Sequence, residues 1–237
     1  MRVNWLVGYE LMESQSATTS APKAARAVSR LTLNGHYVRL EPLSAEAHAE
    51  ALYPHLCGPG TDALWRWMAA GPFADFSAFK AYIAQMASQT ETQFFAVVVP
   101  DTGDVLGHLS LMRADVANGV IEIGSILFGA ALQRTRMATE AVYLLARMVF
   151  DDLGYRRLEW KCNTLNEPSR RAALRFGFVF EGVFRQHMIV KGQNRDTAWF
   201  ALLDGDWPTR RAAFEAWLAP GNFDRHGGQI NKLQQES

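Results

Sequence analysis

The stretch that decides the fold joins an apolar strand-like segment to an amphipathic helix through a basic loop. It reads VIEIGSILF at Val120–Phe128 and QRTRMATEA at 133–141. Apolar residues recur at helical spacing over about 138–153, which predicts a helix with one buried face and with Glu140 on the opposite face. A strand that enters a helix this way presents free N–H groups and the positive dipole end. Such a loop suits a phosphate group.

The composition narrows the class of protein. The chain has 237 residues, of which 49% are hydrophobic, and its 24 Lys and Arg balance its 24 Asp and Glu. A sizeable core is therefore expected, and a general nucleic-acid binder is not. No apolar run is long enough to span a membrane. Two cysteines, Cys57 and Cys162, form no disulfide framework, so a reduced, cytoplasmic setting is expected. The histidines are too scattered to predict a metal site.

The chain divides into three parts. Residues 1–30 are rich in Ser, Thr and Ala and are expected to form a loose leader. Residues 31–220 are expected to form one domain, and the polar residues 221–237 a loose tail. Cap and turn signals predict a mixed α/β (α+β) domain with a meander, a crossover helix, a strand, a helix and a hairpin. The predicted strands are 36–43, 94–99, 105–112, 120–128, 157–162, 178–190 and 196–203, and the predicted helices are 44–56, 62–68, 77–88, 138–153, 167–176 and 208–218.

Two motifs in fixed order point to a family. The first is a Gln-x-x-Arg-x-Ala loop, and the second is an Asn-x-x-Ser helix start followed by Gly-Phe and Glu-Gly pairs. They comprise Gln133, Arg136 and Ala138, then Asn166, Ser169, Gly177, Phe178, Glu181 and Gly182. Together, over about residues 31–207, they resemble the GNAT superfamily of N-acetyltransferases and, within it, the RimJ/RimL-like branch.

The resemblance implies a GNAT-type mixed, splayed β-sheet flanked by helices, with acetyl-CoA as co-substrate. It implies that the strand before the loop pairs with the pantetheine arm and that the loop N–H groups hold the pyrophosphate. It further implies that the second motif's helix lies along the cofactor's other side. The implied cofactor contacts are Ile126, Leu127, Phe128, Gln133, Arg134, Thr135, Arg136, Met137, Ala138, Asn163, Asn166 and Ser169.

One residue departs from the family pattern. Arg136 stands where the loop usually carries its first glycine, which would allow positive φ or close backbone approach. Arginine gives up that freedom but adds a guanidinium beside the phosphates.

The catalytic residues follow less directly. By resemblance, Ser169 donates to the leaving thiolate or to the thioester. The family's tyrosine position is Ala173, and the branch's glutamate position is Met188, with His187 beside it. His187 is one candidate for the base, and Glu122 in the strand before the splay is a second, acting directly or through water.

The expected reaction moves acetyl from acetyl-CoA to a primary amine by direct attack in a ternary complex, because Cys162 lacks a histidine partner. The acceptor is a protein N-terminus or a small amine such as an amino acid, a polyamine or an antibiotic. The alternative is a non-catalytic acyl-CoA-binding module.

Trp65 and Trp67 cannot both face inward on one short helix, so one is expected at the acceptor cleft. Exposed strand edges favour a homodimer.

Overall fold

An eight-stranded mixed sheet runs through the molecule, which the computed structural model describes for residues 24–233. The strand order is β1-β2-β3-β4-β5-β6-β8-β7, and every neighbouring pair is antiparallel except β5 and β6. The strands are β1 (Leu33–Asn34), β2 (Arg39–Pro42), β3 (Gln93–Val98), β4 (Val105–Asp115), β5 (Val120–Phe128), β6 (Arg157–Asn163), β7 (Val179–Val190) and β8 (Gln193–Leu203).

Helices cover both faces of the sheet, and their starts are fixed by side-chain caps. Ser44, Asp75, Thr135 and Asn166 each accept a backbone N–H from the first turn of the helix that follows, as N-cap residues do. The helices are α1 (Ala45–Cys57), a 3₁₀ helix (Asp62–Trp67), α2 (Phe76–Ala87), α3 (Arg136–Arg147), a π turn (Met148–Asp152), α4 (Glu167–Arg175) and α5 (Trp207–Leu218). The predicted helix over 138–153 is therefore two elements.

Two hydrophobic clusters lie on opposite faces of the sheet. One packs α3, α4 and α5 against the strands, and its members include Ala141, Ala173 and Phe214. The other packs α1, the 3₁₀ helix and α2, with Trp65 and Phe79 fully buried. This arrangement confirms the predicted mixed α/β fold, with helices on both sides of a single sheet.

The parallel pair β5 and β6 opens partway along its length. The two strands pair only from Val120↔Arg157 to Ile123↔Trp160 and then separate. On the other side of β5, the register shift against β4 leaves Ser125 and Ile126 opposite one residue, and Ser125 has a left-handed φ of 47°. This is a β-bulge, which bends a strand out of its ladder. A wedge-shaped gap results between β5 and β6.

The chain ends pack more closely than the sequence suggests. Ala25 is buried, and the Arg26 N–H donates to the Leu153 carbonyl at 2.9 Å, so the end of the predicted leader lies against the domain. In the predicted loose tail, Asn222 and Leu233 are buried. That prediction was wrong for this part of the tail, because a few apolar side chains in a polar segment suffice to dock it. Residues 1–23 and 234–237 lie outside the described part.

No helix within residues 24–233 is both long and apolar enough to cross a membrane.

Candidate active site

The loop before α3 exposes the start of that helix. Arg134 has a φ of 60°, which turns the chain into the helix. The Thr135 Oγ1 then accepts the Ala138 N–H at 3.2 Å and donates to the Leu132 carbonyl at 2.6 Å. The remaining first-turn N–H groups of an α-helix have no acceptor within the helix. The loop therefore presents N–H groups at the positive end of the α3 dipole, as an anion site requires.

The strand that leads into the loop has one free edge. Leu127 and Phe128 pair with β4, at His108 and Gly107, while their other edge faces the gap. The Gln133 side chain donates to the Phe128 carbonyl at 2.7 Å, which ties the loop to the strand end. An extended ligand arm can pair with the free edge as an added strand would.

Arg136 does not need the freedom of a glycine. It is the first residue of α3, with helical backbone, and the left-handed conformation falls on Arg134 instead. The Arg136 guanidinium stacks over the rings of Tyr37, at 4.3 Å, and Phe223, at 5.3 Å. Stacking on aromatic rings fixes the plane of a guanidinium and leaves its edge N–H groups free to donate.

Glu140 is buried, so its prediction as a residue on the helix's polar face was wrong. Its carboxylate accepts the backbone N–H groups of His36, Tyr37 and Val38 at 2.7, 2.6 and 2.8 Å. The segment before β2 thus lies over the start of α3 and covers a face that periodicity alone marks as exposed. The same contact places Tyr37 under Arg136, which couples the segment to the loop.

Ser169 lies in the first turn of α4, on the far side of the gap. Its Oγ accepts the Trp160 indole N–H at 3.0 Å, and its backbone N–H donates to Asn166 Oδ1 at 3.3 Å. Because the indole can only donate, the Ser169 hydroxyl keeps its own hydrogen available. The Cys162 thiol lies beside this hydroxyl, and burial raises its pKa. No histidine within the described chain partners that thiol.

The first candidate base, Glu122, belongs to an ion-pair network on the β5–β6 surface. Its Oε2 is 2.6 Å from Arg113 Nη1 and 2.9 Å from Lys161 Nζ. Lys161 also contacts Glu159, at 2.7 Å. The other oxygen, Oε1, faces Gly124, 3.2 Å from where a Cβ of that residue would lie. Glu122 is therefore buried and ionically paired, with one oxygen directed towards the opening of the sheet.

The second candidate base, His187, lies on the same face. Its Nδ1 is 2.9 Å from Thr197 Oγ1, and its ring is 6.0 Å from the Trp199 ring. Lys161 Nζ in turn lies 3.8 Å above the Trp199 ring. Glu122 and His187, 65 positions apart in the numbering, are thus linked through Lys161 and Trp199.

A cleft of about 320 Å³ opens where β6 ends. The 3₁₀ helix contributes Arg66 and Trp67, the end of β6 contributes Asn163, and the β7–β8 hairpin contributes Lys191 and Arg195. Lys191 Nζ donates to the Trp65 carbonyl at 2.9 Å, which holds the hairpin against the 3₁₀ helix. The spacing predicts that only one of the two tryptophans faces inward; Trp65 is the buried one, and Trp67 lines this cleft.

Asn163 was expected among the cofactor contacts, and its position bears on both sites. Its side chain lines the cleft, and its Oδ1 accepts the Leu165 N–H at 2.9 Å. Asn163 is the last residue of β6, so it lies at the end of the strand that borders the gap.

Sequence reasoning missed several residues of this region. Trp160, Lys161, Arg66, Lys191 and Arg195 carry no motif. The alternation along β8 offers one signal, because it places Arg195 on the face shared with Thr197 and Trp199. The others are brought together only by tertiary packing.

Known proteins are similar to this chain. Residues 38–179 match the family described as acetyltransferase (GNAT) domain. The uncharacterized N-acetyltransferase p20 of Bacillus licheniformis is 29% identical over 145 residues, which cover 60% of this chain and 81% of that protein. The Bacillus subtilis (strain 168) protein YdaF, a proposed ribosomal N-acetyltransferase, is 30% identical over 105 residues, covering 44% and 57%.

A solved structure extends the match over most of the chain. The crystal structure of a GCN5-related N-acetyltransferase from Brucella melitensis superposes with a TM-score of 0.87 at 48% identity, covering 89% of this chain and 95% of that one. The chain belongs to the GNAT family of acetyltransferases, for which acetyl-CoA is the co-substrate.

Proposed function

We propose that this protein transfers acetyl from acetyl-CoA to a primary amine by direct attack in a ternary complex. The observation that carries the proposal is the gap between β5 and β6, bounded by the α3 loop on one side and by Ser169 on the other. In this arrangement the pyrophosphate binds the N–H groups of residues 134–138, and the pantetheine arm runs along Ile126 to Phe128. Asn166 and Ser169 close the other side of the arm.

The chemistry needs little more than positioning. The amine nitrogen attacks the thioester carbonyl carbon, and a backbone N–H at the β5 bulge polarises the carbonyl oxygen. The C–S bond then breaks, and the thiolate of CoA accepts a hydrogen bond from the Ser169 hydroxyl. The thiolate finally takes up a proton, through Ser169 or from solvent. The attacking amine loses its proton to a base or to water. The products are an N-acetyl amine and CoA.

Direct attack is supported by the state of Cys162. Burial raises the pKa of its thiol, and an activated cysteine nucleophile needs the opposite shift or a neighbouring base. An acetyl-cysteine intermediate is therefore disfavoured.

The proton acceptor is proposed to be Glu122, with His187 secondary. Glu122 lies at the opening of the sheet with Oε1 facing Gly124, whereas His187 is exposed on the edge strand. Glu122→Gln is expected to lower the rate on the high-pH plateau, and His187→Ala to lower it less. The pH–rate profile of each variant on one defined amine measures this. Full activity with an unshifted profile in both would mean that water takes the proton.

Membership of the family does not by itself identify the class of amine acceptor. The YdaF match supports the RimJ/RimL-like branch and with it a protein N-terminus, and small amines remain the other class. Labelled acetyl-CoA incubated with a lysate, followed by mass spectrometry of the acetylated products, identifies the acceptor.

Turnover decides between an enzyme and a binding module. The enzyme releases free CoA thiol in the presence of an acceptor, and the N-acetyl product appears in equal amount. A non-catalytic module binds acetyl-CoA with measurable heat yet releases no thiol with any amine. That second result would refute the proposed function.

A further inference from the structure

The charges lining the cleft define a substrate class, provided that the proposed amine acetylation holds. Three cationic side chains line it, Arg66, Lys191 and Arg195, and no carboxylate of the described residues does so. The other polar lining residues are Asn163, Gln193 and Asn194. A volume near 320 Å³ lies within the range of small-molecule pockets.

These cations differ from the other cations nearby. Arg113, Arg157 and Lys161 are each paired with one or two carboxylates at 2.5–2.9 Å. No ion pair of the described chain involves Arg66 or Arg195. Glu122 acts on Arg195 only at longer range, and Arg66 and Lys191 are exposed to solvent. Among the described residues the cleft therefore presents positive charge that no carboxylate pairs directly and that an anionic ligand can pair.

Arg195 gives a second, independent indication. Its Nε is buried and has no hydrogen-bond partner among the described residues, and burial lowers the pKa of its guanidinium. Five other buried side-chain atoms of the described residues also have no partner, but the Arg195 donor is the one that belongs to a residue lining the cleft, where a ligand can supply the acceptor. Arg66 is held in place by stacking on Trp67, with its Cζ 4.8 Å from the ring centroid.

The cleft is separate from the cofactor's phosphate site. The 3₁₀ helix that carries Arg66 belongs to the cluster on the α1–α2 face of the sheet, whereas the start of α3 belongs to the cluster on the other face. Asn163 and Arg195 lie where β6 and β8 reach the gap, so a ligand in the cleft can present its amine to the thioester.

We infer that the acceptor is a small primary amine that also carries an anionic group, a carboxylate or a phosphate-type anion, bound by Arg66 and Arg195 with Lys191 nearby. Cationic acceptors such as polyamines are disfavoured, because a second ammonium would meet the same positive charges. This inference narrows the acceptor classes left open by the proposed function.

Four amines of nearly equal length test the inference. They are 4-aminobutanoate, 3-aminopropylphosphonate, butylamine and 1,4-diaminobutane, each assayed by release of CoA thiol. At least one anionic amine is expected to exceed the diamine in kcat/KM by about 100-fold, with butylamine between them. The carboxylate and phosphonate arms show which anion is preferred. Equal or faster turnover of the diamine would overturn the inference and leave the proposed function standing.

Variants of the cleft residues test whether the cleft causes the preference for anionic amines. Arg195→Gln and Arg66→Gln are each expected to lower the kcat/KM ratio of the anionic amine to butylamine by about 10-fold or more. Lys80→Gln, which removes an exposed cation of α2, is the matched control and keeps the ratio. Because Arg66 is exposed, its variant tests the idea even where Arg195→Gln fails to fold. An unchanged ratio in a folded Arg66→Gln variant would contradict the inference.

Two further outcomes are informative. No thiol release with any amine or peptide would refute the proposed function, and the inference with it. Turnover confined to peptides, tested with one acidic and one basic tetrapeptide, would refute the small-molecule class while leaving N-acetylation intact.

Discussion

The loop before α3 and the cationic cleft lie on opposite faces of the same opened sheet, and they offer different groups to a ligand. The loop consists of the consecutive residues 133–138 and offers backbone N–H groups at a helix start. The cleft takes its cations from the 3₁₀ helix and the β7–β8 hairpin. A backbone site tolerates many side chains, whereas a side-chain site changes with each substitution. Under the proposed function, cofactor choice is therefore fixed by the fold, and acceptor choice by a few side chains.

The largest effect is expected for a variant that removes the contact between the start of α3 and residues 36–38. Glu140→Ala leaves three backbone N–H groups of residues 36–38 without their acceptor, and we expect it to lower the free energy of unfolding by about 3–5 kcal/mol. Urea denaturation measures this. The control is Glu50→Ala on the exposed face of α1, for which a change below about 0.5 kcal/mol is expected. Equal effects would show that Glu140 does not hold the loop side together.

The stability of the protein is expected to fall in acid, because of a histidine buried between β4 and β3. His108 on β4 is completely buried, packs against Phe94, and burial lowers its pKa from 6.5 to about 4. The unfolded chain binds a proton at the ordinary pKa, so the stability due to neutral His108 is complete above pH 6.5 and is lost as pH falls towards 4. Between pH 7 and pH 5 the loss is about 2 kcal/mol.

The variant His108→Leu tests the source of that acid sensitivity. It lacks the titrating group, so its urea unfolding curves at pH 7 and pH 5 are expected to differ by about 2 kcal/mol less than those of the wild type. A variant that loses as much stability as the wild type would place the acid sensitivity elsewhere.

Much of the loop side can be predicted from local sequence. Thr135 and Asn166 cap helices that the spacing already marks, and β5 begins and ends where its apolar run does. The mixed α/β domain follows from the order of the elements, whereas the opening of β5 from β6 was expected only from the family resemblance. Local propensity, capping and periodicity act over a few residues, and they suffice here.

The rest depends on residues that are distant in sequence. Glu140 has the spacing of an exposed residue and is buried because residues 36–38 cover it, about 100 positions earlier in the chain. The cleft combines Arg66 with Arg195, and the Ser169 hydroxyl takes its orientation from Trp160 on the preceding strand. Pairings of this kind are set by packing, which periodicity does not encode.

The smallest effect is expected for Ser169, in the first turn of α4 beside the gap between β5 and β6. Under the proposed function the hydroxyl acts on the leaving thiolate, so Ser169→Ala is expected to lower kcat about tenfold while leaving the Kd of acetyl-CoA nearly unchanged. Ser169→Thr, which keeps a hydroxyl, is the matched control. Steady-state kinetics and calorimetry on the same preparations separate the two effects. A loss of affinity with unchanged kcat would make Ser169 a cofactor contact only.

The independence of the loop and the cleft is tested most directly by removing one positive charge from each. Arg136→Ala is expected to raise the Kd of acetyl-CoA about 10- to 100-fold, and to change the KM of an anionic amine by no more than about twofold. Arg195→Gln is expected to do the reverse, raising the KM of the amine and leaving the Kd of acetyl-CoA within about twofold. If Arg195→Gln instead weakens acetyl-CoA binding as much as Arg136→Ala does, the cleft belongs to the cofactor site and the two-region account is wrong.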